Sequence, residues 1–444
     1  MSIAIIGGGI SGLATAFYLK RAQPDLEITL YEKAPRLGGK MMTQEVEGFL
    51  FEEGSNGFLS NKPDTLDLVK ACGAEALLLR SSDAARVRFI YKESLEQLPE
   101  SPMAFLKTPL LSLQGKLRVA GEFFVPPRQE EGDETLQSFG YRRVGKEMTD
   151  TFLDPMVAGV FASAPDKISV QAAFPAVVAL EKEYGGLFKG MMAKRKKEAG
   201  PGGVLMSFEG GVSRFVQALA DSMEITIHTD AAVERLIQND ADYTVVVDGE
   251  QQKHTRVVLA TPAFVSADLV REIDPDLAAQ LDEIEYSPIS VVGLGYDHLD
   301  HPLRGFGLLT TASAQQEILG VLWDSSIFDD RAPEGKKALR VMIGGQRNPD
   351  LARKSDDELI AMAIRGVEAT MGITTPPTVT YAKRWERGIP NYRLGHLERM
   401  EKLFATLKKH TGLHLSANAY FGVGLNDCIA NSKQAAENIL ADEG

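Results

Sequence analysis

Cysteine is nearly absent from this chain, with only Cys72 and Cys428 among 444 residues. No disulfide framework can hold such a protein together, and a reducing compartment suits it. Long apolar runs are missing too. No uninterrupted hydrophobic stretch approaches the roughly eighteen to twenty residues that a membrane-spanning helix requires, so none is expected. Positive charge is in deficit: 48 Lys and Arg stand against 61 Asp and Glu, a formal net charge of -13. That balance argues against nucleic acid as a partner and against broad adsorption to anionic membranes. The first predicted strand opens at Ser2, so no leader is expected ahead of it and the chain is read as cytoplasmic. One core is too few for this length, and two or three domains are expected. Histidine gives no metal site. Asp297-His-Leu-Asp-His301 has suitable residue types but falls between predicted strands beside Pro302, where an exposed turn is expected.

Glycine, by contrast, is plentiful and placed with meaning. Ser2 to Ile6 is a short apolar strand, Gly7-Gly-Gly-Ile-Ser-Gly12 contains G-x-G-x-x-G, Ser11 to Arg21 has helical apolar spacing, and Glu27 to Tyr31 is a second strand leading to Glu32. Strand, loop, helix, strand and acid in that order form a dinucleotide-binding fingerprint. Gly7 permits the tight turn, Gly9 lets backbone approach a pyrophosphate, and Gly12 lets helix and strand pack closely. The helix N-terminus, at Ile10 and Ser11, turns its positive end to the phosphates, and Glu32 accepts hydrogen bonds from a ribose.

A second glycine-rich stretch decides which dinucleotide. Arg36-Leu-Gly-Gly-Lys40 and Gly48 to Gly57 are extended and glycine-punctuated, suited to winding back over a cofactor. A nicotinamide enzyme has no need of this segment, so the expected cofactor is FAD, held non-covalently because no flavin attachment motif is evident. Further along, residues 95–206 look helical and proline-broken, whereas 286–394 look strand-rich, with one long helix from Asp356 to Met371. The fold class is therefore α/β: a discontinuous Rossmann-type FAD-binding domain (1–75, 207–285 and 395–444), a mixed-sheet substrate domain (76–94 and 286–394) and a helical insertion (95–206). Ser101 to Leu111 and Leu117 to Val125 set apolar residues among lysines and arginines. An ordinary helical core is one reading of them, and peripheral contact with a membrane surface is the other.

Taken together these pieces resemble the flavin-containing amine oxidase superfamily and, within it, the protoporphyrinogen oxidase family. The broad marks are the first thirty-two residues, Arg36-Leu-Gly-Gly-Lys40 and Gly422-Val-Gly-Leu-Asn-Asp-Cys-Ile429. The narrower ones include Arg88-Phe-Ile-Tyr91, Gly159-Val-Phe-Ala162, Pro165-Asp-Lys-Ile-Ser169, Gly305-Phe-Gly307, Ile343-Gly-Gly345 and Trp385-Glu-Arg-Gly-Ile-Pro-Asn-Tyr392. The resemblance runs through essentially the whole chain in order. It implies that Gly7, Gly8, Gly9, Ile10, Ser11, Gly12, Glu32 and Lys33 hold the adenosine diphosphate half of FAD. Gly39, Lys40, Gly54, Ser55, Asn56 and Gly57 would follow the pyrophosphate and isoalloxazine. Val233 would meet the adenine, Trp385 would border the flavin, and Val423, Gly424 and Leu425 would cover its pyrimidine end.

The same resemblance implies a porphyrinogen substrate, protoporphyrinogen or alternatively coproporphyrinogen, with dioxygen as oxidant and a place in heme biosynthesis. Arg88 would pair with a propionate, Leu309, Leu322 and Met342 would sandwich the macrocycle, and the backbone at Gly159 would approach it. Ala162, Ser163 and Ala164 replace the glycine-rich, acidic form of that loop, and Asn391 stands where glutamine is common. No catalytic acid or base is assigned, because the flavin performs the hydride transfer. An amine oxidase would place a lysine on the strand Ser290 to Tyr296, where Val291 stands instead. A non-catalytic flavin or tetrapyrrole carrier would share the same pocket. Partner expectations extend to the next heme-pathway enzyme and to a homodimer.

Overall fold

The computed structural model describes residues 2–197 and 203–442. Ser2–Ile6 is apolar on both faces because both are covered, the pattern expected of a central parallel strand. It lies within a five-stranded sheet ordered Thr226–His228, Glu27–Tyr31, Ser2–Ile6, Arg256–Leu259, Leu413–Leu415, every pair parallel. Helices Ile10–Ala22, Val212–Asp221 and Leu425–Ala441 bury Leu13, Phe17, Phe215, Ile429 and Ile439 against one face. Against the other lie helices Ala263–Val270, Pro275–Asp282 and His396–Leu407 together with the antiparallel strands Val233–Gln238, Tyr243–Val247 and Glu250–His254, where Gln252 accepts from the Tyr31 hydroxyl at 2.6 Å.

A second, seven-stranded sheet runs Val379–Pro390, Tyr286–Tyr296, Lys337–Gly344, Ile318–Leu322, Gly307–Thr310, Phe89–Tyr91, Leu95–Gln97. It is antiparallel except where Gly307–Thr310 meets Phe89–Tyr91. Helix Asp356–Met371 covers one face, its Leu359, Met362 and Val367 packing on Leu339, Val341 and Ile343. A capping box of Ser355 and Glu358 starts that helix and left-handed Gly372 ends it. The sheet's other face carries Leu309, Gly320 and Met342. Between the two sheets the hairpin Thr43–Val46/Phe49–Glu52 stacks Phe51 on Tyr381.

Two details differ from expectation. Leu95–Gln97, expected to open the helical block, is the edge strand of the seven-stranded sheet. Leu78–Arg80, expected in the substrate domain, instead pairs with Leu205–Phe208, which also takes Phe58–Leu59. Both segments are only three residues long, too short for alternation to reveal a partner. The helical block itself, Pro102–Lys107 through Leu187–Lys197, is tied internally by charge. Fully buried Arg143 pairs with fully buried Glu122 and reaches Glu181 at 3.4 Å, while Arg142 joins Glu181 to Glu134. Among the described residues no helix is long and apolar enough to cross a membrane.

His396 opens its helix in a buried position, stacked on Tyr392 at 4.2 Å, with Nε2 donating to the Tyr420 carbonyl at 2.8 Å. Burial lowers its pKa to about 4, and that of His414 likewise to about 4. Unfolded, each imidazole takes a proton near pH 6.5, which the native state refuses until about pH 4. The stability these neutral rings contribute is complete above pH 6.5 and declines as pH falls toward 4, by about 1.4 kcal/mol per pH unit for each. His396→Gln should therefore narrow its stability deficit relative to the wild type between pH 7 and pH 5 in chemical denaturation. A deficit independent of pH would contradict the neutral, buried imidazole.

Candidate functional site

The first strand ends at the mouth of the five-stranded sheet, and the glycine loop turns there. Gly7 has φ of +109° and no room for a side chain, since a Cβ would lie 2.7 Å from the Ala260 carbonyl oxygen. At Gly12 the same atom would lie 2.0 Å from the Gly7 oxygen. Gly9 differs from both. A Cβ there meets nothing within 4 Å, so the loop presents an open cradle rather than a packed turn. Gly38 bridges back to Gly9, its N–H donating to the Gly8 carbonyl at 2.8 Å, which lays Gly39 beside the same opening. Helix Ile10–Ala22 begins with no side-chain cap and no acid in its first turn, leaving its N–H groups, Ser11 included, for an anion.

Glu32 sits buried beneath the cradle. Its two oxygens accept the Gly8 and Ala34 amides, each at 2.8 Å, and keep further lone pairs for hydroxyl groups. The Ala231 amide donates to the Glu32 carbonyl at 2.9 Å, which brings the strand starting at Val233 alongside. Lys33 points to solvent. Lys40 does not extend a free ammonium: its Nζ donates to the Arg387 carbonyl at 3.1 Å and to that of Gly388, and burial lowers it to about 8. A second helix start closes the site, with Val423 and Gly424 leading into Leu425–Ala441 and the Asp427 carboxylate accepting the Gly424 amide at 3.3 Å. Cys428 is buried in that first turn with its thiol pushed up to about 12, so it is packing and not a nucleophile.

The segment Gly54 to Gly57 is pressed between neighbours. A Cβ on Gly54 would stand 2.4 Å from the Lys40 carbonyl oxygen, and one on Gly57 2.0 Å from that of Met206. Ser55 donates to the Gly57 carbonyl at 3.1 Å. Asn56 accepts from Arg340 at 2.8 Å while its buried Nδ2 has no partner among the described residues. Trp385 is fixed by the Glu53 carbonyl, which accepts its indole N–H at 2.8 Å. Glu53 itself is buried, 3.0 Å from the Lys383 ammonium, and Glu52 is buried 3.1 Å from Arg331. Sequence reasoning missed Glu52, Glu53, Arg340 and Asp324. The available signal was charge inside apolar stretches, at Phe49-Leu-Phe-Glu-Glu53 and Leu339-Arg-Val-Met-Ile343.

Pairing registers bring the expected substrate residues onto one sheet face. Lys383 lies opposite Val291, Val291 opposite Met342, Met342 opposite Gly320 and Gly320 opposite Leu309, and residues directly opposite point the same way. One step along, Leu322 is opposite both Gly307 and Arg340. Gly159, on helix Asp154–Phe161, fits directly over Leu309, whose Cδ2 would be 2.8 Å from an added Cβ. Arg88 is exposed at the sheet's margin, its guanidinium 5.3 Å from the Phe306 ring, with no carboxylate partner among the described residues. Its neighbour Arg86 is 3.5 Å from Asp83. In the histidine turn Asp297 is engaged by Lys336 at 2.7 Å and His301 packs edge-on to Trp323. No group of side chains among the described residues is arranged to hold a metal.

The family model for flavin containing amine oxidoreductases matches residues 10–440. Coproporphyrinogen III oxidase of Bacillus subtilis is 28% identical, the alignment covering 99% of this chain and 97% of that one. Protoporphyrinogen oxidase of Schizosaccharomyces pombe is 29% identical, with 99% of each chain covered. A solved structure from Exiguobacterium sp. 255-15, described as a candidate protoporphyrinogen oxidase, superposes with a TM-score of 0.88 at 28% identity over 99% of both chains. A reduced UDP-galactopyranose mutase shares the fold with a TM-score of 0.76 at 18% identity, covering 99% of this chain and 95% of its own. The open cradle at Gly9, the uncapped start of helix Ile10–Ala22 and the ribose-ready carboxylate of Glu32 suit FAD. With its family model matched from residue 10 to residue 440, the chain belongs to the flavin-containing amine oxidoreductases and is an FAD-dependent oxidoreductase.

Proposed function

We propose that this protein is an oxygen-dependent porphyrinogen oxidase of heme biosynthesis, converting protoporphyrinogen IX to protoporphyrin IX. The observation that carries this reading is the apolar sheet face of Leu309, Leu322 and Met342, walled by Gly159 and margined by a cation without an acidic partner among the described residues. A porphyrinogen is a large apolar disc with carboxylate arms on one side, and that face matches both halves of it. The relatives' names point the same way. FAD, when bound non-covalently, supplies the hydride acceptor and passes electrons to dioxygen, with six electrons removed and three molecules of hydrogen peroxide formed per porphyrin.

The chain's own task is then placement and exclusion of water. Leu309, Leu322 and Met342 hold the disc, Gly159 gives it clearance, and Arg88 holds a propionate in a bidentate fork. Gly7 to Gly12, Glu32, Lys33 and Val233 hold the adenosine diphosphate half of FAD. Gly39, Lys40, Gly54 to Gly57, Trp385 and Val423 to Leu425 surround its ring. Coproporphyrinogen III is the alternative substrate, named for the Bacillus subtilis relative. It carries four propionates instead of two, and the engagement of Arg86 by Asp83 favours the less charged substrate. Amine oxidation is disfavoured by apolar, buried Val291 on the strand where a lysine would be needed. We further propose that Met103, Leu106, Leu113, Leu117 and the 84% exposed Phe124 rest on a membrane surface, with Lys107 and Lys116 beside them.

Arg88→Ala should lower kcat/KM for the porphyrinogen about ten- to a hundredfold, the loss of a charge-assisted hydrogen bond of roughly 1.5–3 kcal/mol. Arg88→Lys should recover part of it. Because Arg88 carries no ion pair among the described residues, Tm should stay unchanged, and normal kinetics would remove its anchoring role. Protoporphyrinogen and coproporphyrinogen assayed side by side settle the preference, and turnover of a polyamine in place of both would replace the assignment. Glu32→Ala should weaken FAD by roughly 1–3 kcal/mol in equilibrium dialysis, and undiminished retention would count against the ribose contact. Vesicles with anionic headgroups should sediment the wild type but not Leu117→Ser/Phe124→Ser; equal sedimentation of the two would exclude the membrane face.

A further inference from the structure

Pro155 sits inside a helical run that continues from Lys146 to Phe161. A proline there lacks its N–H and crowds the carbonyl four residues back, at Thr151, and the chain accommodates it by widening the turn Thr149–Leu153 into a π-helix. That turn breaks the regular α-helical register on either side of it. The eight residues Asp154–Phe161 are therefore not fixed by the helix before them, and their contacts with the seven-stranded sheet set their position.

Both ends of this short helix are fastened, and by adjacent residues. At its start one Asp154 oxygen accepts from an Arg347 Nη at 2.9 Å and from the Ala312 amide at 3.1 Å, while the other Nη of Arg347 donates to the Thr310 carbonyl at 2.9 Å. At its end, left-handed Ala162 offers its carbonyl to the Gln346 amide at 2.7 Å, and a Cβ on Gly345 would stand 2.8 Å from the same oxygen. Gln346 and Arg347 closely follow strand Lys337–Gly344, which carries Met342. Between the two fastenings Gly159 lies over Leu309, and a Cβ on either Gly159 or Gly320 would come within 2.8 Å of Leu309 Cδ2. A single guanidinium thus joins the helix that carries Gly159 to the strand that carries Leu309, the two walls of one gap. Its planar fork fixes their separation more rigidly than a point charge would. We propose that Arg347, acting through Asp154 and the Thr310 carbonyl, is a positioning residue that sets the height of helix Asp154–Phe161 above Leu309 and hence the clearance for a flat tetrapyrrole disc. This rests on the porphyrinogen reading and adds to it the residue that gauges the slot.

The test measures kcat, KM for the porphyrinogen, FAD affinity by equilibrium dialysis and Tm on purified holoenzyme. Arg347→Met should raise KM about tenfold with FAD affinity unchanged, and Arg347→Lys should recover only part of it, because an ammonium cannot reproduce the fork that spans both acceptors. Asp154→Asn keeps an acceptor without its charge, should act in the same direction, and replaces Arg347→Met if that variant does not fold. Gly159→Ala places a methyl group in the gap and should lower kcat/KM about tenfold in the wild-type background. With Arg347→Met the released helix can rise, so the same Gly159→Ala change should then cost about threefold or less. A lowered Tm with wild-type KM in Arg347→Met, or a Gly159→Ala penalty equal in the two backgrounds, would overturn the proposal while leaving porphyrinogen oxidation in place. A wild type that oxidises neither porphyrinogen would overturn the functional reading and this inference together.

Discussion

Two adjacent buried carboxylates fix the geometry on which the site depends. Leaving the hairpin strand Phe49–Glu52, Glu52 and Glu53 diverge: Glu52 takes Arg331, the Thr43 hydroxyl and the Val212 amide, and Glu53 takes Lys383 and the Tyr381 hydroxyl. Those partners belong to the seven-stranded sheet, its connections and the nucleotide-binding half. The pair therefore fastens both halves to the backbone that immediately becomes Gly54. Removing one member of such a buried pair leaves an uncompensated charge, at a cost of about 3–5 kcal/mol. Replacing both by apolar residues need not destabilise, so the pairs are better read as specifying position than as supplying stability.

How much of this was legible in the sequence follows from how local the information is. The cradle was readable because strand, glycines, helix and Glu32 lie within one contiguous stretch whose spacing encodes its geometry. The strand Val379–Pro390 was not. Lys383, Arg384, Glu386 and Arg387 fill it with charge, as an edge strand tolerates, and the alternation that would betray a strand is masked. The face holding Leu309, Leu322 and Met342 came from family resemblance, since three apolar residues on strands carry no signal distinguishing pocket from core. Arg340 was visible as an oddity only. Its meaning lies in Asn56 and Asp324, which tertiary structure brings to it from far along the chain.

The apolar sheet face and the polar collar around it divide the work of recognition. Shape and hydrophobic contact across Leu309, Gly320 and Met342 discriminate poorly between related flat substrates, since a methylene more or less is worth about 1–3 kcal/mol. Charge at the margin discriminates better, because a propionate left without a partner loses a desolvated hydrogen bond. On the proposed reading, selectivity among porphyrinogens would be set by the margin where Arg88 sits.

The nucleotide-binding sheet is assembled from strands at Ser2–Ile6, Glu27–Tyr31, Thr226–His228, Arg256–Leu259 and Leu413–Leu415, and its first helix packs on Leu425–Ala441. During synthesis from the N-terminus, Leu13 and Phe17 leave the ribosome some four hundred residues before Ile429 arrives to cover them. At about 5–20 residues per second that interval lasts tens of seconds. Through that interval the sheet edge that Leu413–Leu415 completes is open and the Leu13 and Phe17 face of the first helix lacks its Ile429 cover, so the cofactor cradle gains its full support only when the last helix has formed.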